Sequence, residues 1–441
     1  MAAAERLPPA PDGGAGAPPD AAGATPRTSA APAPGPLWRN RDYMLLWSGQ
    51  VVSTLGSNIS GIALPLLILA ITNSPALAGI AGALATLPYL VFSLPVGALV
   101  DRWDRKLVMF LCDAGRAINT ASIPLALALN GLTIWQLYLN VLIEGTLFVF
   151  FNLAEVAALP QVVPQAQLPA ASAQNQATFA TAGLIGPAVG GFLYQSIGRA
   201  VPFVADAVSY AVSAASFFAI RIRFQEARPA TARHLGAEIR EGVTWLWHQP
   251  LLRIMALING LFNFTTAGFA LITIVTARAQ HADETAIGAI FSIGAVGGLL
   301  GSLLASRLQR RLSFGQVIIG SLWVTALSIP IYALSPPILV LSALSGIFFF
   351  VGTVYSVTMI SYRLPLIPDG LQGRVNSVFR LAAFGFIPLG TALTGILLER
   401  LGVAPTVAVF SAGLGALALG VTLNARVRTA PRYGAVLSGK S

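Results

Sequence analysis

Gly97-Ala98-Leu99-Val100-Asp101-Arg102-Trp103-Asp104-Arg105-Lys106 closes the second apolar stretch of the chain, and Ser302-Leu303-Leu304-Ala305-Ser306-Arg307-Leu308-Gln309-Arg310-Arg311 repeats it 205 residues later. Arg102, Arg105 and Lys106 recur as Arg307, Arg310 and Arg311, while Asp101 becomes Ser306. A period of nearly half the chain means two similar halves. In an apolar chain, paired halves point to transport across a membrane.

The same register returns elsewhere. Leu159-Pro160 with Pro164 recurs as Leu364-Pro365 with Pro368. Gly186, Gly191 and Gly198 recur 204 residues later as Gly390, Gly395 and Gly402. Agreement in three places makes chance a poor explanation.

Composition sets the solvent. The chain is 55% hydrophobic and 10% charged, against about 25% charged in soluble domains, so most of it belongs in lipid. Twelve apolar segments approach the ~20 residues that a membrane helix needs: 44–70, 76–100, 107–129, 133–158, 174–195, 201–220, 251–277, 285–305, 315–334, 337–360, 377–398 and 404–424. Lipid offers the backbone no hydrogen bonds, so these spans are helical. The reading is an all-α membrane protein of two six-helix bundles, 38–220 and 251–425.

Residues 1–37 are rich in Ala, Pro and Gly and cannot bury a core, so a disordered cytoplasmic tail is expected. They lack the apolar run of a signal peptide. A linker, 221–250, separates the halves, with an amphipathic surface helix over Ala237 to Trp247 presenting Ile239, Val243 and Leu246. A basic tail, 426–441, completes the chain.

The net charge of +10 is distributed as a topology signal and not as a nucleic-acid surface. Placing both termini inside leaves Arg199, Arg278 and Arg400 outside and Arg116 within a span, with the other 23 of 27 basic residues on the cytoplasmic side. Arginine outnumbers lysine 25 to 2, a bias that suggests a high-GC bacterial source and hence an inner-membrane protein. The single cysteine, Cys112, excludes disulfides and Cys-based metal sites. His234, His248 and His281 share no ligand-like spacing. No phosphate-cradling Gly-x-x-x-x-Gly-Lys loop is present, which argues against ATP-driven transport. Neither an enzyme nor any cofactor is expected.

Twelve helices in two halves, with the Asp101-Arg102-x-x-Arg105-Lys106 loop between the second and third, resemble the major facilitator superfamily. Asp104 departs from that family's loop, where Gly is usual, and Ser306 replaces the acidic residue in the second copy. Several further stretches are similar to the bacterial branch of the enterobactin exporter and the macrolide efflux proteins. They are Leu46-Trp47-Ser48-Gly49-Gln50 with Leu55-Gly56, Ala63-Leu64-Pro65, Pro368 through Asn376, and Glu241 through Leu246. The resemblance implies a loop of Gly97, Asp101, Arg102, Arg105 and Lys106 that latches the halves in the outward-open state. Topology signalling alone would account for the arginines but not for Asp101. Gly186-Pro187-Ala188-Val189-Gly190-Gly191 resembles the superfamily's antiporter motif; close glycine packing of helices is the competing reading.

Charges inside a membrane are costly and usually functional. Glu144 lies about eleven residues into the fourth span and Arg116 about nine into the oppositely running third, so at ~1.5 Å per residue both reach the midplane. A Glu144–Arg116 pair is expected, with Asp113, three residues from Arg116, as a competing partner. Burial opposes ionisation of a carboxyl and a nearby arginine favours it. Glu144 therefore has two open roles: a proton-coupling site tuned by Arg116, or one member of a static buried ion network. Asp206 is a shallower coupling candidate, and Glu155 reads as structural.

The second half has no acidic residue in any span, and Phe349 occupies the repeat position of Glu144. Asn259 and Asn263 with Phe262 and Phe264, and Phe348, Phe349, Phe350 and Tyr355, form a candidate substrate wall. An apolar wall with a few amides suits a bulky amphipathic small molecule. The leading expectation is a proton-coupled exporter working by alternating access, with substrate, protons and the lipid bilayer as partners and no nucleic acid. An importer or facilitator of a small polar solute, and a non-transporting sensor or scaffold, are the alternatives.

Overall fold

The computed structural model describes residues 36–430 apart from 101, 223, 225–234 and 369–370. The N-terminal tail through residue 35, Asp101, and the basic tail from 431 onward lie outside the described residues.

The first half comprises α1 (Arg41–Thr72), α2 (Pro75–Val100), α3 (Arg105–Ala128), α4 (Ile134–Val162), α5 (Leu168–Ser196) and α6 (Val201–Ala219). A linker helix, α7 (Leu235–His248), precedes the second half. There the seventh span is α8 (Pro250–Thr266) and α9 (Phe269–Ala279), followed by α10 (Glu284–Arg311), α11 (Phe314–Ser328) and α12 (Ile338–Arg363). The eleventh span is likewise divided into α13 (Gln372–Gly385) and α14 (Ile387–Leu401), and α15 (Val403–Leu423) and the single turn α16 (Ala425–Arg428) end the bundle.

Eleven helical segments among the described residues are long and apolar enough to cross a membrane. The twelfth expected span is α3, which has the length, at 24 residues, but carries Asp113, Arg116, Asn119 and Thr120 along its course. Those polar groups turn inward: Asp113, Arg116 and Thr120 are all buried. The helix is polar where it faces the bundle, so composition alone understates it.

The halves share one packing plan. In the first, α1 lies on α5 and α6, α2 on α4, and α3 on α4 and α6. In the second, α10 lies on α12 as α2 lies on α4, and α11 lies on α12 and α15. The repeat glycines Gly198 and Gly402 follow α5 and α14 at φ +147° and +81°, backbone that a residue with a Cβ rarely adopts.

The two interrupted spans pack on one another at their breaks. Pro388 removes a backbone donor and clashes with the preceding turn, which separates α13 from α14 at Phe386. The break between α8 and α9 has no proline; it falls at Ala267 and Gly268. A Cβ on Gly268 would lie 1.9 Å from Thr394 Oγ1, and one on Gly390 would lie 2.2 Å from the Phe264 carbonyl oxygen. Each break is thus seated against the other span.

Candidate functional site

The basic loop is built first from a helix cap. Asp104, the departure from the family's Gly, is the N-cap of α3, accepting from the backbone N–H of Lys106 at 2.9 Å and Leu107 at 3.2 Å. An N-cap carboxylate satisfies donors that the first turn leaves unpaired. Arg105 donates to the Ala157 carbonyl at 2.9 Å and to the Phe224 carbonyl of the linker at 3.4 Å, and Lys106 donates to the Ile220 carbonyl at 2.6 Å. The Ala157 and Ile220 carbonyls stand toward the C-terminal ends of α4 and α6, where positive charge is favoured. Arg102 is exposed, and Gly97 has open space where a Cβ would project.

The midplane charges meet. Arg116 Nε donates to Glu144 Oε1 at 2.7 Å, and its Nη2 lies 2.6 Å from the same oxygen. Asp113 stands 3.8 Å from Arg116 on the other side, and accepts from Ser213 Oγ at 2.6 Å. Tyr210 of α6 completes the group: its hydroxyl donates to Glu144 Oε1 at 2.7 Å, accepts from Arg116, and lies 2.7 Å from Ser57 Oγ. The guanidinium also sits 4.0 Å from the centre of the Tyr210 ring, a cation–π contact. Sequence reading missed Tyr210, Ser57 and Ser213; a tyrosine and scattered serines in apolar helices carry no signature.

Asp206 lies in an adjoining position, 3% exposed, accepting from Ser60 Oγ at 2.5 Å and Ser209 Oγ at 3.4 Å. Two glycines of α1 make the polar assembly possible. A Cβ on Gly56 would stand 2.8 Å from Asp206 Oδ1, and one on Gly49 would stand 3.2 Å from Ser213 Oγ. Both belong to the stretches that carry the branch resemblance, which gives those glycines a physical purpose.

Two cavities flank this network. One, of about 260 Å³, is bordered by Ser57, Ser60, Arg116, Glu144, Tyr210 and Asp206. The other, of about 190 Å³, shares Ser57, Arg116 and Phe148 with the first and is also bordered by Glu155 and Asn175. Glu155 is buried and accepts from Asn175 Nδ2 at 3.3 Å.

The Gly186–Gly191 segment of α5 lies at crossings between helices. A Cβ on Gly186 would come 2.4 Å from Asn58 Cβ, and one on Gly190 would come 2.4 Å from the Ile59 carbonyl oxygen, both on α1. On its other side the segment reaches the second half: Gly191 would clash with the Glu284 carbonyl oxygen at 2.2 Å, and Gly288 with the Pro187 carbonyl oxygen at 2.2 Å. The repeat makes the crossing again. Gly395 of α14 would clash with the Pro75 carbonyl oxygen at 2.5 Å, and Gly79 with that of Thr391 at 2.8 Å. Both crossings lie at the face bearing the short loops. Polar contacts there join the halves as well: Glu399 accepts from the Ser74 hydroxyl and, at 3.0 Å, from the Ala76 N–H, and Arg278 donates to the Leu66 carbonyl at 3.2 Å.

The residues proposed as a wall in the second half are largely engaged with one another. Tyr355 is 2% exposed and stacks on Phe262 at 4.3 Å between ring centres. Phe349 packs against Phe269 and the face of Gly294. Asn263 donates to the Asn259 carbonyl at 2.8 Å and its side-chain oxygen at 3.3 Å. Arg380, near the start of the eleventh span, donates to the Tyr89 hydroxyl of α2.

Residues 31–434 match a family model described as transmembrane secretion effector. The multidrug efflux pump Tap of Mycolicibacterium fortuitum is 26% identical over 390 residues, covering 86% of this chain and 94% of that protein. Macrolide efflux protein A of Streptococcus pyogenes is 26% identical over 387 residues, covering 83% and 91%. Among solved structures, a bacterial homologue of the lysosomal transporter Spinster, inward-facing and unoccupied, superposes with a TM-score of 0.70 at 13% identity, over 88% of this chain and 98% of that one. An inward-facing bacterial homologue of ferroportin gives 0.66 at 15% identity, over 88% and 99%.

Proposed function

The chain belongs to the transmembrane secretion effector family of the major facilitator superfamily, a family of transporters and not of enzymes, and we propose that it is a proton-coupled exporter of bulky amphipathic molecules. It works in a bacterial inner membrane with both termini in the cytoplasm. Macrolides and other drugs, the cargo in the names of its relatives, are the first substrates to test.

The observation that carries this reading is the Arg116–Glu144–Tyr210 network beside a cavity of about 260 Å³. A carboxylate held by a guanidinium deep in lipid is expensive unless it does work. Glu144 is both held and reachable, its side chain 26% exposed, as a group that must take up and release a proton has to be. With the short-loop face outside, the two glycine crossings close the outer side and describe the inward-facing state. Alternating access then requires the crossings to part as the halves rock. The basic loop, with Arg105 and Lys106 turned to carbonyls of its own half and the linker, would exchange those partners for the second half when the cytoplasmic side closes. Asp101 would act there.

Proteoliposomes loaded with a macrolide and given an imposed proton gradient test the proposal. Gradient-dependent release supports it; release that ignores the gradient makes the protein a facilitator.

A further inference from the structure

Two of the stretches that carry the branch resemblance, Glu241 through Leu246 and Pro368 through Asn376, meet in the structure. Glu241 of the linker helix α7 lies 2.6 Å from Arg374 at the start of α13. Gly242, the next residue, is pressed onto the backbone of the same arginine. A Cβ there would stand 2.9 Å from the Arg374 carbonyl oxygen and 3.0 Å from its carbonyl carbon. An ion pair between half-exposed groups adds little to stability, and a glycine inside a helix weakens that helix. What the two residues provide is a close seat for α7 on α13, keyed by charge.

That seat is one side of a three-helix body. α7, α8 and α13 each pack on the other two. Leu246 of α7, Leu252 and Met255 of α8, and Val375 and Phe379 of α13 are buried in one apolar cluster. The body ends where the seventh and eleventh spans are interrupted, at Ala267 and Gly268 and at Phe386. The two breaks adjoin, Gly268 against Thr394 and Gly390 against Phe264. Residues at the ends of helices are where a chain absorbs a large backbone rotation, so two adjoining breaks define one axis. On the body's side of that axis, α13 meets the first half: Arg380 donates to the Tyr89 hydroxyl, and the Phe384 ring lies 4.7 Å from that of Tyr89.

We propose that α7, α8 and α13 swing as one rigid body about the paired breaks to open and close the inner side of the second half. Glu241 and Gly242 are its positioning residues: they carry the linker helix along with α13 and set where Arg380 and Phe384 meet Tyr89. Calling the body a cytoplasmic gate rests on the topology and alternating access proposed above; the body itself does not. α8 also touches α14 and α15, the surfaces along which it must slide. Rocking of a whole half keeps distances within that half fixed, whereas this swing changes them.

The test is hydrogen–deuterium exchange of the full-length protein in detergent, without substrate or gradient, read helix by helix. Gly242→Ala favours the helical state of α7 itself, so any loosening comes from the seat. It should speed exchange about five-fold or more in α7, α8 and α13 together and leave α9 and α14 at wild-type rates. Glu241→Arg should act in the same helices by about two- to five-fold, and adding Arg374→Glu should restore wild-type exchange. Loosening confined to α7, loosening that spreads equally into α14, no loosening, or no rescue by the charge swap would overturn the body. Spin labels at Val243 and Leu401, both exposed, then test the swing: their distance should differ between wild type and Gly395→Val protein, and a fixed distance would overturn it. Linked exchange and a changed distance without gradient-driven macrolide release sink the exporter reading and keep the body. Gradient-driven release without linked exchange does the reverse.

Discussion

Gly191 of α5 and Gly395 of α14 make the same contact twice, each pressed onto a backbone carbonyl oxygen of the opposite half, that of Glu284 and that of Pro75. The repeat visible in the sequence is therefore also the device that joins the halves. A side chain at either position must push backbone aside, because the atoms that it meets belong to helices and not to flexible side chains. Overpacking of this kind costs about 1–3 kcal/mol, which is roughly five-fold to 150-fold in a two-state equilibrium. Gly191→Val and Gly395→Val should each depopulate the closed short-loop face. Spin labels at Ile71 and Leu401, both exposed near that face, should report longer distances in either variant. Unchanged distances would show that the crossings are passive.

Glu399 presents a charged cap to α2 from the other half, accepting from Ser74 and from Ala76 N–H. A negative charge at a helix N-terminus is worth about 0.3–1 kcal/mol when exposed. Glu399→Gln should thus widen the same label pair by a smaller amount than the glycine variants, and the difference should shrink in high salt. A salt-independent effect would show that charge is not what Glu399 contributes.

Asp104→Ala removes the cap of α3 and should cost about 1 kcal/mol of stability. Thermal unfolding in detergent should show the loss, and Asp104→Asn should largely restore it because asparagine caps equally well. Were Asp104 part of the latch instead, Asp104→Asn would fail in transport while unfolding normally.

Tyr210→Phe deletes a donor to Glu144 and an acceptor for Arg116 without changing the volume of the helix contact much. The expected stability loss is about 1 kcal/mol, whereas Arg116→Ala strands buried carboxylates and should cost about 3–5 kcal/mol. Unfolding midpoints of the two variants, measured side by side, check the ranking. Equal losses would mean that the network is not centred on Arg116.

Most of the architecture was legible because lipid enforces it. Apolar length and the placement of arginines reveal spans, and the repeat reveals two halves. The Glu144–Arg116 pair was legible for the same reason, since a charge in a span has few ways to be satisfied. Tyr210, Ser57 and Ser60 were not, because hydroxyls in helices usually bond to their own backbone and only the packing of α1 on α6 turns these toward the charges. The break at Ala267 and Gly268 was hidden too, as it arises from Thr394 on another span. Asp104 could have been read as a cap from its place just before α3. The contact of Arg380 with Tyr89 was not legible either, because it forms only where α2 and α13 lie together.

Proton movement at Glu144 is the most direct test of the account. Substrate added to proteoliposomes holding a pH-sensitive dye should trigger proton flux with the wild-type protein and none with Glu144→Gln. Flux of wild-type size in Glu144→Gln, in protein that still binds substrate, would contradict the account and return Glu144 to a static ion network.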